Sequence, residues 1–98
     1  MAGLTLSTHV LDTERGRPAA GVRVEVYAPD GSTAGEGVTD ADGRIARLAE
    51  PSPGTHRIVF HPPSPFFKRI ELEVELVEGH YHVPLLISSY ACASYRGS

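Results

Sequence analysis

Ninety-eight residues, 41% of them hydrophobic and 21% charged, are expected to form one ordinary globular domain spanning residues 1–98. A formal charge of −3, with nine lysines and arginines scattered along the chain, speaks against the basic face that a nucleic-acid partner needs. A single cysteine, Cys92, excludes an intrachain disulfide, "MAGLTLSTHV" lacks the features of a secretory signal, and no apolar run is long enough to span a membrane, so a soluble cytoplasmic protein is expected.

Apolar residues recur with period two and never convincingly with period 3.6. The first strand is expected over Leu4–Leu11, with Leu4, Leu6 and Val10 on one face and Thr5, Ser7 and His9 on the other. Gly21–Tyr27 follows, with Val22, Val24 and Val26 opposed to Arg23, Glu25 and Tyr27. The turn "PDG" at Pro29–Gly31 leads to Ala34–Thr39, and "DADG" at Asp40–Gly43 leads to Arg44–Leu48. "PSPG" at Pro51–Gly54 precedes a strand at His56–His61. "HPPSPFF" holds too much proline for a strand interior and reads as a crossover loop. In Lys68–Val77, Ile70, Leu72, Val74 and Leu76 alternate with Arg69, Glu71, Glu73 and Glu75, the mark of a half-buried antiparallel strand. After "EG" at Glu78–Gly79 come His80–Ser88 and Tyr90–Tyr95. Seven or eight short strands with frequent turns predict an all-β protein, a two-sheet antiparallel β-sandwich.

Several residues stand outside the expected core. His9 lies on the polar face of its strand, where a surface histidine without a role is the plain alternative. His80 and His82 share one side of their strand, opposite Tyr81 and Val83. An H-x-H pair is half of a zinc site, yet no second pair of ligands follows at suitable spacing, so no metal is expected. "TDADGR" lacks the third acidic ligand and the closing glutamate of a calcium loop; it reads as a turn, with Arg44 opening the next strand. Cys92 is expected to be a small buried hydrophobe and not a nucleophile. Imidazoles titrate near pH 6.5, so two of them could run acid–base chemistry at neutral pH while an arginine holds an anion. Spacing alone does not show that these groups meet.

Three motifs, "LSTHVLDTERGRPAAGVRVEVY", "TDADGR" and "HYHVPLLISSY…SYRGS", in this order and over nearly the whole chain, resemble the 5-hydroxyisourate hydrolases, the enzymatic relatives of transthyretin. The terminal "YRGS" is the most specific of the matches. The resemblance implies a transthyretin-like sandwich that assembles as a homotetramer, a dimer of dimers, with sites along a channel between the dimers. It implies hydrolysis of the cyclic amide of 5-hydroxyisourate to 2-oxo-4-hydroxy-4-carboxy-5-ureidoimidazoline, on the route from urate to allantoin, without metal or organic cofactor. The family's site residues fall on His9, Arg44, His82 and Tyr95, with Ser98 and its terminal carboxylate lining the pocket. His80 matches a position that is often histidine and receives no role. Transthyretin itself carries other residue types at the four positions and lacks the terminal motif, so the resemblance favours a hydrolase over a small-ligand carrier. A non-catalytic prealbumin-like interaction module would match the middle of the chain equally well but leaves "YRGS" without a reason. This chain departs from the family pattern at Ser89, where proline is usual, and at Cys92 and Ala93. Its short crossover "HPPSPFF" implies that the helix of transthyretin is reduced or missing.

Overall fold

Period-two alternation becomes strand over most of the chain, because it lets each strand bury one face while the other meets solvent. The computed structural model describes residues 3–97, and all of its regular elements are strands. In chain order they are β1 (Thr5–Asp12), β2 (Arg17–Pro18), β3 (Arg23–Tyr27), β4 (Thr33–Val38), β5 (Arg44–Ala49), β6 (Gly54–His61), β7 (Ile70–Leu76), β8 (His80–His82), β9 (Leu85–Ile87) and β10 (Cys92–Ser94). One sheet has the order β4-β3-β6-β7 and is antiparallel throughout. The other is centred on β1, which pairs with β2, β5, β8 and β9, while β10 extends it beyond β9.

The expected two-sheet sandwich is present, with one feature that local sequence does not signal. β1 runs parallel to β8 and β9, whereas its pairings with β2 and β5 are antiparallel. The strand expected at His80–Ser88 is also interrupted. Pro84 has no N–H to give to a ladder, so regular pairing stops at His82 and resumes at Leu85. The gap is bridged from β1: the Val83 N–H donates to the Ser7 carbonyl at 3.0 Å, and the Thr8 hydroxyl donates to the Val83 carbonyl at 2.7 Å. The last strand shortens to Cys92–Ser94, and the two-residue β2 extends the hairpin that follows β1. Residues 62–69 form the expected irregular crossover, held by Ser64, whose hydroxyl accepts the N–H groups of Phe66 and Phe67.

Between the sheets, Leu6 and Val10 from β1 meet Val24, Val26, Ile58, Phe60 and Leu85, all fully buried. Each such side chain contributes about 1.5–3 kcal/mol of burial. Every buried polar side-chain atom among the described residues has a hydrogen-bond partner. Because β1 commits Leu6, Thr8 and Val10 to the core, strict alternation sends Thr5, Ser7 and His9 to the opposite face. That outer face carries the candidate site.

Candidate active site

Pairing with β1 assembles the site. On one side, His9 stands directly opposite Arg44, the first residue of β5, so both side chains leave the same face. On the other side, the parallel register sets Thr5 beside His80 and Ser7 beside His82. Three segments far apart in sequence thus meet on one sheet face.

The Asp40–Gly43 turn fixes the Arg44 end. The Asp40 carboxylate accepts the N–H groups of Asp42 at 2.9 Å and of Arg44 at 3.0 Å. These bonds, led by the one from Arg44 and aided by the Arg44 and His9 charges, hold the Asp40 carboxyl below its ordinary range. The turn presents the Asp42 carbonyl to His9 Nε2 at 2.8 Å. A carbonyl only accepts, so Nε2 carries the proton and donates it; in the neutral ring the basic nitrogen is then Nδ1. Gly43 has a φ of +76°, and a Cβ there would run into the Val10 carbonyl, so the turn requires glycine.

At the other end, His82 Nδ1 lies 2.8 Å from Ser7 Oγ, which leaves Nε2 without a hydrogen bond among the described residues. Desolvation, followed by the nearby positive charge of Arg44 and then by His9 and His80, pushes the His82 pKa below the ordinary imidazole value. The neutral, proton-accepting form is therefore favoured at this position. Gly97 closes the edge: its N–H donates to the His82 carbonyl at 2.6 Å, and a Cβ on it would lie 2.8 Å from His82 Cδ2.

Of the residues singled out in the sequence, His9, Arg44 and His82 share this face. Tyr95 does not join them directly. It is 57% exposed and lines a groove of about 420 Å³ with Leu72, Val74, Tyr81 and Val83 at the opening between the sheets. Ser98 and its carboxylate lie outside the described residues. Cys92 is exposed, which corrects the expectation of a small buried hydrophobe: at its position in the edge strand β10 it does not reach the core. Ser89 uses what a proline lacks, since its N–H and hydroxyl donate to the Glu14 carboxylate at 3.1 and 2.6 Å. These bonds tie the turn after β1 to the turn after β9, and they hold the Glu14 carboxyl below its ordinary range. Sequence reasoning missed the parts played by Ser7, Thr5 and the Asp42 carbonyl. Ser7 could have been suspected from sharing a face with His9, but its partners come from a long-range parallel pairing.

The histidines are engaged in ways that suit proton transfer. Among the described residues no group of three or more His, Cys, Asp or Glu side chains is arranged to hold a metal ion. His9 and His82 are partly exposed and Arg44 is exposed, so the face they occupy is open on one side.

Comparison with known proteins matches this architecture. The model of the HIUase/Transthyretin family matches residues 6–97. A 5-hydroxyisourate hydrolase of Deinococcus radiodurans is 40% identical, the alignment covering 95% of each chain. The solved structure of Klebsiella pneumoniae 5-hydroxyisourate hydrolase superimposes with a TM-score of 0.86 at 35% identity, over 97% of this chain and 99% of that one. Sea bream transthyretin in complex with thyroxine gives a TM-score of 0.82 at 28% identity, over 95% of this chain and 94% of that one.

Proposed function

This chain belongs to the HIUase/transthyretin family, and we propose that it works there as the hydrolase, opening the ring of 5-hydroxyisourate in the degradation of urate to allantoin. Water adds to the ring amide carbonyl, the C–N bond breaks, and the product is 2-oxo-4-hydroxy-4-carboxy-5-ureidoimidazoline. The observation that carries this reading is the convergence of two imidazoles and one guanidinium on a single sheet face. A carrier of an apolar ligand has no need for an acid–base pair.

His9 and His82 form the acid–base pair around the attacking water, and between them they remove its proton and protonate the leaving nitrogen. Among the described residues, the nitrogens left free are His9 Nδ1 and His82 Nε2, since the opposite nitrogen of each ring is engaged. Arg44 binds the anionic substrate and offsets charge developing on the carbonyl oxygen. Tyr95 completes the pocket once subunits meet. The open site face supports that assembly, a homotetramer in which a second dimer covers the face and excludes water. A lone, exposed thiol at Cys92 suits the reducing cytoplasm as the place of action.

The direct test generates 5-hydroxyisourate with urate oxidase and follows its ultraviolet decay. Decay accelerated in proportion to added protein supports the hydrolase. Decay at the rate in buffer, from folded protein, rejects it.

A further inference from the structure

His80 has no place in the acid–base pair, yet it is bonded into the site through both ring nitrogens. Its Nδ1 lies 2.7 Å from Thr5 Oγ1, and its Nε2 lies 3.0 Å from Ser7 Oγ. The same Ser7 oxygen lies 2.8 Å from His82 Nδ1. Thr5, His80, Ser7 and His82 therefore form an unbroken row of hydrogen-bonding atoms. The row starts at the half-exposed Thr5 and exposed His80 and ends at the partly buried His82. Parallel pairing of β1 with β8 creates it, because Thr5 and Ser7 each stand beside one of the two histidines.

A hydroxyl has one proton to give, so Ser7 donates to at most one of the two rings. Two arrangements match every donor along the row with an acceptor. In the first, His82 Nδ1–H donates to Ser7, Ser7 donates to His80 Nε2, and His80 Nδ1–H donates to Thr5, leaving His82 Nε2 as a free base. In the second, all these bonds run the opposite way, and His82 Nε2 carries a proton it can give. We propose that this row is a proton relay that switches His82 between base and acid without leaving a net charge on its ring, and that Ser7 and His80 are positioning residues acting through His82. The proposal rests on the hydrolase reading for its reaction, but its hydrogen-bond pattern is a property of the resting protein.

In the attack step, a water proton moves to His82 Nε2. The Nδ1 proton passes to Ser7, the Ser7 hydroxyl proton passes to His80 Nε2, the His80 Nδ1 proton passes to Thr5, and the Thr5 hydroxyl proton passes to solvent. The water oxygen adds to the carbonyl as hydroxide, one proton has left for solvent, and each residue ends neutral. When the C–N bond breaks, His82 Nε2 gives its proton to the leaving nitrogen and one solvent proton enters at Thr5, restoring the first arrangement. Burial of His82, together with the nearby positive charge of Arg44 and then of His9 and His80, gives the relay its purpose. An imidazolium held beside the Arg44 guanidinium is opposed by like charge and by desolvation, and the relay avoids forming one.

The test compares Ser7→Ala and His80→Gln with the parent protein. The glutamine side chain keeps an amide donor near Ser7 but cannot take a proton on one atom while releasing one from another. Both variants should lower kcat about 10- to 100-fold, short of full removal of an acid–base group, with KM changed less than about threefold. The dependence of kcat on the deuterium fraction of the solvent should be curved for the parent and straight for His80→Gln. Wild-type kcat and a curved plot in His80→Gln would overturn the relay. His80 is exposed, so this variant carries the test if Ser7→Ala does not fold. If the parent itself lacks hydrolase activity, the functional reading fails, and ring ¹⁵N spectra of the resting protein still decide the relay. His80→Gln should change the balance between the Nδ1–H and Nε2–H forms of His82. An unchanged balance contradicts the coupled row.

Discussion

Burial sets the chemistry of His82 before any charge does, and its neighbours push the same way. The sign follows from proton counting. The folded-state pKa lies below the unfolded value of about 6.5, so between the two the unfolded chain holds the extra proton. The contribution of His82 to stability is present above about pH 6.5 and is lost as pH falls through the folded value. An NMR titration of its ring should show a midpoint below about 6.5 that moves upward in Arg44→Leu; a midpoint at or above that value in the parent contradicts the assigned environment. A neighbouring glycine sets the ring's place. Gly97 sits so close that the methyl of an alanine would meet His82 Cδ2 at 2.8 Å and the His82 carbonyl at 3.2 Å. Gly97→Ala should therefore displace the imidazole from Ser7 and reduce turnover at least tenfold, while the melting temperature falls by only a few degrees. Full activity in this variant would show that the end of the chain has no bearing on the ring. At this scale the sequence was partly readable. Alternation placed His9 outside the core, and "YRGS" marked the terminus, whereas the bonds of His80 depend on which strand lies beside β1.

Elements position these side chains through two kinds of connection. The Asp40–Gly43 turn is local, and its chemistry was legible in "DADG". Its function as a brace for His9 was not, because the Asp42 carbonyl reaches His9 only after β5 pairs with β1. Gly43→Ala tests the brace. An L-residue held in the left-handed region costs roughly 1–2 kcal/mol, to which the collision with the Val10 carbonyl adds. The variant should unfold at lower denaturant and lose activity beyond what its unfolded fraction explains; unchanged stability and turnover would remove the turn from the site. The second connection is the parallel run of β8 and β9 along β1. Glu-rich alternation identified β7 as half-buried and antiparallel, since its partner β6 is its neighbour in sequence order. No comparable signal assigned β8 to β1, because more than seventy residues separate Ser7 from His82. The break at Pro84 was visible as a proline, but its effect appears only once Thr8 and Ser7 bond to Val83 across it.

For the molecule as a whole, the two sheets of the described residues end in edge strands, among them β7 and β10, and the site face is partly exposed. A small sandwich protects such edges by pairing or covering them. Light scattering should give the mass of four chains, with activity falling on dilution as the assembly dissociates. A monomer that turns over substrate at full rate would refute a site completed between subunits. The sandwich class was legible because period-two alternation and turn residues are local signals. The assembly of the site is a long-range property of pairing and was reached through resemblance.

The central claim, that two imidazoles on one sheet face hydrolyse 5-hydroxyisourate, is tested most directly by single substitutions in the ultraviolet decay assay. His9→Ala and His82→Ala should each remain folded, as judged by circular dichroism and melting temperature. Each should slow the enzyme-dependent decay by at least about 100-fold, the lower range for loss of an acid–base group. If either variant keeps near-parental turnover with an unchanged pH profile, His9 and His82 are not the acid–base pair.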